Sequence, residues 1–216
     1  MSQSSVVGII STGVANTASV VAAFRRLGVE TELVSDWRKV ESARRLVLPG
    51  VGSFGCAMDR LNELKMVEPL RERILSEIPT LAICLGLQLF CSASEESPGM
   101  EGLSILPTTV KRFDVQATEE SRHPHDQLRV PHLGWNQVKA NSCKTLSNGQ
   151  AYFAHSFYID QVPPGWNQAT AHHGGSFVAA IEKGSVLACQ FHPELSGSWG
   201  RELLATWLGK VEVPAC

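Results

Sequence analysis

The sequence predicts an α/β protein built on a doubly wound, mostly parallel sheet with a mixed or antiparallel extension. Short apolar segments alternate with amphipathic segments through the first half of the chain, which is typical of parallel strands joined by helices that cover both faces. From about Leu103 onward the strand-like segments follow one another more closely, which favours the extension. The chain has 216 residues, and we expect residues 1–216 to form a single domain.

The first half is expected to alternate strand and helix. A strand at 6–10 precedes a helix at 17–27, whose apolar side chains share one face and which Gly28 would terminate. Further strands are expected at 29–34, 45–48, 81–84, 110–113, 151–159 and 177–182. Residues 198–208 are expected to close the chain as a helix that docks on the sheet, and residues 114–129 to form a polar loop.

Composition excludes several classes of function. The net charge of −2 gives no electrostatic reason to expect nucleic acid, and the segment at 6–10 is too short for a membrane span or a signal core. We therefore expect a cytoplasmic protein with a small-molecule ligand. The six cysteines lack C-x-x-C spacing. The histidine pairs at 123–125 and 172–173 are interpreted as loop residues, so we expect no metal and no cofactor.

Cys84 stands where a strand-like segment gives way to a helix-like one. Gly86 follows two positions later, so the backbone can turn sharply and expose the sulfur. The free N–H groups that open a helix there would favour the thiolate. A cysteine at a strand end is more often a packing residue than a nucleophile, but ligands of parallel sheets collect at the carboxyl ends of strands. We predict that Cys84 is a nucleophile.

His192 and Glu194 are the predicted partners of that cysteine. They follow a strand-like run at 186–191 and are separated only by Pro193. Side chains two positions apart in an extended chain share a side, so Glu194 can orient the His192 imidazole. Cys84, His192 and Glu194 therefore make a candidate catalytic triad, which only the fold can bring together.

A thiolate that attacks a carbonyl group needs backbone donors for the resulting oxyanion. The Leu85 N–H is one candidate, and a second is expected from another loop. The glycine-rich turn at 49–55 follows a neighbouring strand. Alone, this turn is more typical of an ordinary strand-to-helix connection, but beside Cys84 it favours a ligand-binding loop.

Five segments together resemble class I glutamine amidotransferases. They are P-G-V-G at 49–52, C-L-G-L-Q at 84–88, V-P-H-L-G-W-N at 130–136, Y-F-A-H-S-F at 152–157 and Q-F-H-P-E at 190–194. Within that family, the first and third resemble the glutaminase subunits of imidazole glycerol phosphate synthase, and the similarity covers nearly the whole chain.

The resemblance implies hydrolysis of L-glutamine to glutamate through a glutamyl thioester. The ammonia would pass to a partner cyclase subunit, a (β/α)8 barrel in a heterodimer, which forms imidazole glycerol phosphate and aminoimidazole carboxamide ribotide in histidine biosynthesis. It also implies oxyanion donors at Gly52 and Leu85. Residues around the bound glutamine would be Gln88, Glu96, His155, Ser156 and Phe157, although Glu96 is also consistent with a solvated helix end.

The chain departs from the family pattern where a partner would bind. Leu195 stands in place of a usual lysine, the turn at 11–16 that includes Asn16 differs, and the segment at 114–129 is longer. Trp135 is a candidate anchor for the partner, with core packing as its alternative. These departures fall at the expected interface and leave the triad intact.

Other functions remain open from the residues. One is a glutaminase subunit of another amidotransferase, or a γ-glutamyl hydrolase that acts without a partner. Val51 argues against most of these, because the other classes commonly have a glycine at that position. Another is a catalytically silent docking subunit of the same fold, against which the intact triad argues.

Overall fold

A seven-stranded mixed sheet lies at the centre of the structure, a computed structural model that describes residues 6–11, 17–114 and 128–209. In chain order the strands are β1 (Val7–Ile10), β2 (Thr31–Val34), β3 (Arg45–Gly50), β4 (Thr80–Cys84), β5 (Cys91–Ser94), β6 (Leu106–Arg112), β7 (His132–Val138), β8 (Gly149–His155), β9 (Phe157–Tyr158), β10 (Asn167–His172), β11 (Ser176–Lys183) and β12 (Val186–Cys189). The helices are α1 (Thr17–Arg26), α2 (Trp37–Ser42), α3 (Phe54–Glu63), α4 (Val67–Leu75), α5 (Leu85–Gln88) and α6 (Gly197–Trp207), with a 3-10 turn at Pro193–Leu195.

The order of strands in the large sheet is β10-β11-β12-β4-β3-β1-β2. The pairs from β12 to β2 are all parallel, whereas β10, β11 and β12 pair antiparallel. This arrangement confirms the predicted fold class, a mostly parallel sheet with an antiparallel extension. All residues of β1, β4 and β12 are buried, as expected for strands covered on both faces.

Two apolar clusters pack on opposite faces of the sheet. On one face, α1 buries Val20, Ala23 and Phe24 and α6 buries Leu203 and Leu204. On the other, α3 and α4 bury an apolar stripe that includes Met58, Leu61 and Leu70. The period of the apolar residues therefore explains which face of each helix meets the sheet. Gly28 ends the first helical segment with a φ of +67°, as predicted.

Two smaller sheets extend the structure. Strands β5, β6 and β9 form one, and the antiparallel pair β7 and β8 forms the other, with His132 opposite His155. The strand predicted at 151–159 is divided between β8 and β9 at Ser156, whose carbonyl accepts a hydrogen bond from Phe113 N. The expected loop at 114–129 and the turn with Asn16 lie mostly outside the described residues.

The helix-like segment after Cys84 is shorter than its apolar pattern indicates. Helix α5 has only four residues, because Cys91–Ser94 forms β5 and pairs with β6. The helix dipole expected to favour a thiolate is correspondingly small, since the macrodipole sums over aligned peptides. Among the described residues, no helix is long and apolar enough to cross a membrane.

Candidate active site

Cys84 lies at a tight turn between β4 and α5. Its backbone has φ 54° and ψ −109°, a conformation that L residues adopt rarely. The turn fits only because its neighbours are small. A Cβ atom on Gly86 would overlap the Leu48 carbonyl oxygen, and one on Gly50 would overlap the Gly86 backbone. The glycines thus let β3 approach the turn that presents the sulfur.

His192 and Glu194 form a hydrogen-bonded pair just after β12. His192 Nδ1 lies 2.8 Å from Glu194 Oε1, and the two side chains are only 8% and 6% exposed. Glu194 Oε2 is buried with no hydrogen-bond partner among the described residues. Burial alone lowers the pKa of His192, but hydrogen bonds with the Cys84 and Glu194 side chains outweigh it and raise that pKa to about 10. The imidazolium is therefore the favoured form.

The parallel pairing of β4 with β12 brings these groups together. Ile83 lies opposite Cys189, so Cys84 and the residues after β12 leave the sheet at the same edge. Cys84 and His192 both line a cavity of about 330 Å³. The Cys84 thiol also lies 3.9 Å from the Ala154 carbonyl oxygen. The structure therefore places the sulfur at the wall of an accessible cavity, beside the imidazole.

The residues assigned to oxyanion and substrate binding line the same cavity. They are Gly52, Leu85, Gln88, Glu96, His155, Ser156 and Phe157. They come from the turn after β3, from α5, from the loop after β5 and from the junction of β8 with β9. Gly52 has a φ of +97°, which favours glycine at that point of the turn. The individual roles of these residues stay predictions.

Glu96 is not a solvated helix end, the alternative considered for it, because it follows a strand and its carboxylate has a defined partner. Glu96 Oε2 accepts a 2.7 Å hydrogen bond from Phe54 N, at the start of α3. Ser97 Oγ similarly accepts from Gly55 N at 2.9 Å. Both satisfy N–H groups that a helix leaves free at its first turn. Glu96 thus connects the cavity wall to the turn that contains Gly52.

Gln190 is a site residue that the sequence interpretation missed. Its side chain is fully buried, and its Nε2 lies 3.7 Å from Cys84 Sγ. Its Oε1 accepts a 3.0 Å hydrogen bond from Gln88 Nε2, which also donates to the Phe157 carbonyl at 3.0 Å. The available signal was its position in the segment Q-F-H-P-E, in which only the histidine and the glutamate were assigned roles from the sequence.

A chain of buried histidines supports the opposite wall. His132 Nδ1 lies 2.9 Å from His155 Nε2, and His155 Nδ1 lies 2.8 Å from the Phe157 carbonyl oxygen. His173, interpreted as a loop residue, stacks on His132 with ring centroids 4.1 Å apart. Burial lowers the pKa of His132 to about 4 and that of His155 to about 3. Both imidazoles are neutral near pH 7.

The described residues of the expected partner surface, Trp135 and Leu195, are exposed. Trp135 is 55% exposed and meets Tyr152 edge-on, so core packing, the alternative for Trp135, is wrong. Leu195 is 44% exposed, and Leu133, which lines the cavity, is 65% exposed. Asn16 lies outside the described residues.

Two further cysteines, Cys91 and Cys189, are unsuited to nucleophilic chemistry. Cys91 and Cys189 have no exposed surface, and burial raises the pKa of each thiol. Among the described residues there is also no group of three or more histidine, cysteine, aspartate or glutamate side chains placed to hold a metal ion. Cys84, by contrast, lines a cavity together with the base His192.

The site combines a strained cysteine on a strand-to-helix turn with a histidine and a glutamate that follow a neighbouring parallel strand. This arrangement defines a class of sites in which a cysteine nucleophile cleaves amides. Residues 9–210 match the family model described as glutamine amidotransferase class-I. The chain therefore belongs to the class I glutamine amidotransferase family.

Relatives within the family agree with the resemblance seen in the sequence. The chain is 39% identical to imidazole glycerol phosphate synthase subunit HisH of Syntrophotalea carbinolica, over 91% of this chain and 96% of that protein. It is 38% identical to imidazole glycerol phosphate synthase hisHF of Schizosaccharomyces pombe, over 97% of this chain and 39% of that protein. The chain thus spans about two fifths of the latter. These relatives confirm the predicted resemblance.

A solved structure also shares the fold. A protein described as a glutamine amidotransferase superposes with a TM-score of 0.71 at 20% identity, covering 94% of this chain and 97% of that one.

Proposed function

We propose that this chain is the glutaminase subunit of an imidazole glycerol phosphate synthase and hydrolyses L-glutamine to glutamate and ammonia. The observation that carries the proposal is the meeting of Cys84 and the His192–Glu194 pair at one cavity in a chain of this family. The HisH and hisHF names of its relatives support the particular synthase.

In the first half of the reaction, the Cys84 sulfur attacks the side-chain amide carbon of glutamine. His192 carries the proton that the departing nitrogen needs, since its pKa is raised and the imidazolium predominates. Glu194 Oε1 holds Nδ1 of the ring, so that the other ring nitrogen is free to act on sulfur and leaving group. Carbon–nitrogen bond cleavage releases ammonia and leaves a glutamyl thioester on Cys84.

In the second half, water attacks the thioester carbon. His192 removes a proton from that water and returns it to the departing thiolate or holds it for the next cycle. The backbone N–H groups of Gly52 and Leu85 would stabilise the oxyanion of both tetrahedral intermediates, because both residues face the cavity beside Cys84. Glutamate then leaves, and no cofactor is needed.

The cavity walls suit a free amino acid. Gln88 uses both of its amide hydrogens within the protein, which leaves its Oε1 as the group that can accept from an α-ammonium. The carboxylate of Glu96 would add a favourable charge for the same ammonium. His155, Ser156 and Phe157 form the facing wall.

We infer that the partner is a cyclase subunit, a (β/α)8 barrel that receives the ammonia and forms imidazole glycerol phosphate and aminoimidazole carboxamide ribotide. The exposed apolar side chains of Trp135, Leu195 and the cavity residue Leu133 support a protein partner. By resemblance Asn16, which lies outside the described residues, is a further candidate contact. An apolar residue at 195 would replace a charged contact by apolar burial. We further propose that residues 1–216 form one domain and act in the cytoplasm.

The test is a glutaminase assay of the purified chain in three states. They are the chain alone, the chain with a purified cyclase subunit, and that complex with the cyclase's nucleotide substrate or product. We expect hydrolysis of glutamine in the complex and stronger hydrolysis with the nucleotide ligand.

The other functions give different results in the same assay. Full activity of the chain alone, with no response to the cyclase, would favour a glutaminase of another kind. No glutamine hydrolysis in any state would contradict the proposal and favour a docking subunit without catalysis.

A further inference from the structure

We propose that Gln190 stabilises the Cys84 nucleophile by donating a side-chain N–H to its sulfur from behind the cavity wall. Gln190 has no exposed surface and does not line the cavity. Its Nε2 lies 3.7 Å from Cys84 Sγ, within hydrogen-bonding distance for sulfur. The role rests on the proposed function, for which Cys84 is the nucleophile, and adds a residue to it.

The direction of this hydrogen bond is fixed by its neighbours. The Phe157 carbonyl oxygen can only accept, so the group of Gln88 that faces it is the amide nitrogen. Because the same nitrogen faces Gln190, the atom of Gln190 that meets it is the carbonyl oxygen Oε1. The remaining end of the Gln190 amide, its Nε2, must then face the sulfur. The amide therefore donates to Cys84.

Phe157 is itself held by the histidine chain. His155 Nδ1 donates to the Phe157 carbonyl, so neutral His155 accepts from His132 Nδ1 through Nε2. His132 Nε2 then accepts from Asn136 Nδ2 at 3.0 Å. The ring nitrogens of His155 and His132 thus all have partners, and the Phe157 carbonyl that anchors the Gln88 amide is itself held by His155.

The backbone of Gln190 is also fixed. Gln190 follows β12, which pairs with β4 in parallel, so the register places Gln190 beside Cys84. Its backbone N–H donates to the Ala179 carbonyl at 2.8 Å. The amide thus reaches the sulfur from the sheet, on the side away from the ligand.

This donor matters because α5 is a four-residue helix and offers little dipole to a thiolate. A hydrogen bond to a charged acceptor is stronger than one to a neutral group, so the Gln190 amide favours the thiolate over the thiol. The titratable groups that interact with Cys84 include His192 and Cys189, and His192 is in turn paired with Glu194. Gln190 adds a neutral donor to them.

The test measures the reactivity of Cys84 without using glutamine. Wild type, Gln190→Met and Gln190→Glu are treated with iodoacetamide across pH, and alkylation of the peptide that carries Cys84 is followed by mass spectrometry. Methionine keeps the length of the side chain without a donor, and glutamate keeps its shape but replaces the donor with an acceptor. Gln150→Met, at an exposed position on β8, is the matched control.

We expect alkylation of Cys84 near neutral pH to slow by about tenfold in Gln190→Met and by more in Gln190→Glu, with the pH midpoint moved upward. Gln150→Met should match wild type. If Gln190→Met does not fold, alkylation of Cys84 is compared in Gln190→Glu and in Gln190→Asn, which keeps a shorter amide. These two variants then decide whether the Gln190 amide supports the sulfur.

A wild-type alkylation profile in the folded Gln190 variants would overturn the proposal, even if their thermal stability is lower. This readout is separate from the proposed function. Absence of glutaminase activity in the wild-type complex would contradict that function while leaving the alkylation result intact.

Discussion

His192 Nδ1 and Glu194 Oε1 lie 2.8 Å apart in a nearly closed environment, two residues apart on the chain. The carboxylate both orients the ring and favours its protonated form. Because Pro193 lies between them at the start of a 3-10 turn, the spacing that places the side chains together is set by the local backbone. The pair is therefore formed independently of a ligand.

Replacement of this carboxylate should weaken the base. We expect Glu194→Gln to keep a hydrogen bond to Nδ1 but to lose its charge, which lowers the pKa of His192 and reduces kcat for glutamine hydrolysis by about 10- to 100-fold. A glutaminase assay of the cyclase complex, with NMR titration of His192, measures both effects. Glu202→Gln, at an exposed position on α6, should behave as wild type. Equal activity in Glu194→Gln would contradict the role of the carboxylate.

The buried histidines should make the fold sensitive to acid. Burial lowers the pKa values of His132 and His155 from 6.5 to about 4 and about 3. Between pH 6.5 and these values the unfolded chain binds more protons than the native one, so the free energy of unfolding falls as pH falls. Urea unfolding at a series of pH values measures this slope.

A variant separates this effect from general acid denaturation. His132→Gln removes one of the two protons taken up on unfolding and should reduce the slope below pH 6.5. His172→Gln alters an exposed side chain and should leave the slope unchanged. An identical slope in all three proteins would contradict the burial of neutral imidazoles. His192 has the opposite sign, since its raised pKa gives stability that is lost as pH rises toward 10.

Arg73 should be important for stability rather than catalysis. Its guanidinium is buried and donates to the carbonyls of Val40, Ala43 and Pro79 and to Thr80 Oγ1. We expect Arg73→Met to lower the free energy of unfolding by about 3 kcal/mol, because it leaves buried acceptors unpaired. Arg60→Met, which removes an exposed ion pair with Glu63, should cost less than about 1 kcal/mol. Chemical denaturation of both variants checks the difference.

Much of the fold follows from local patterns, as particular elements show. The apolar runs of β1, β3, β4 and β12 were readable because strands covered on both faces need uninterrupted apolar residues. The length of α5 could not be read from the sequence, because the apolar residues after Cys84 fit a helix and a buried strand equally. Whether β5 forms depends on its pairing with the distant β6.

The site also contains residues that the local sequence identifies and residues that depend on contacts between distant segments. Cys84 and His192 were identifiable because each follows a strand at a chemically suggestive turn. Gln190 was not, because its role depends on a sheet register and on contacts with Gln88 and Cys84 from remote segments. The histidine chain was missed for the same reason, since His132, His155 and His173 meet only in the fold.

A comparison of three cysteine variants shows whether the Cys84 sulfur is the nucleophile for glutamine. Glutamine hydrolysis is measured in the cyclase complex for Cys84→Ala, Cys91→Ala and Cys189→Ala. We expect no hydrolysis with Cys84→Ala and near wild-type rates with the other two, whose thiols are buried away from the cavity. Equal rates in all three variants would contradict it.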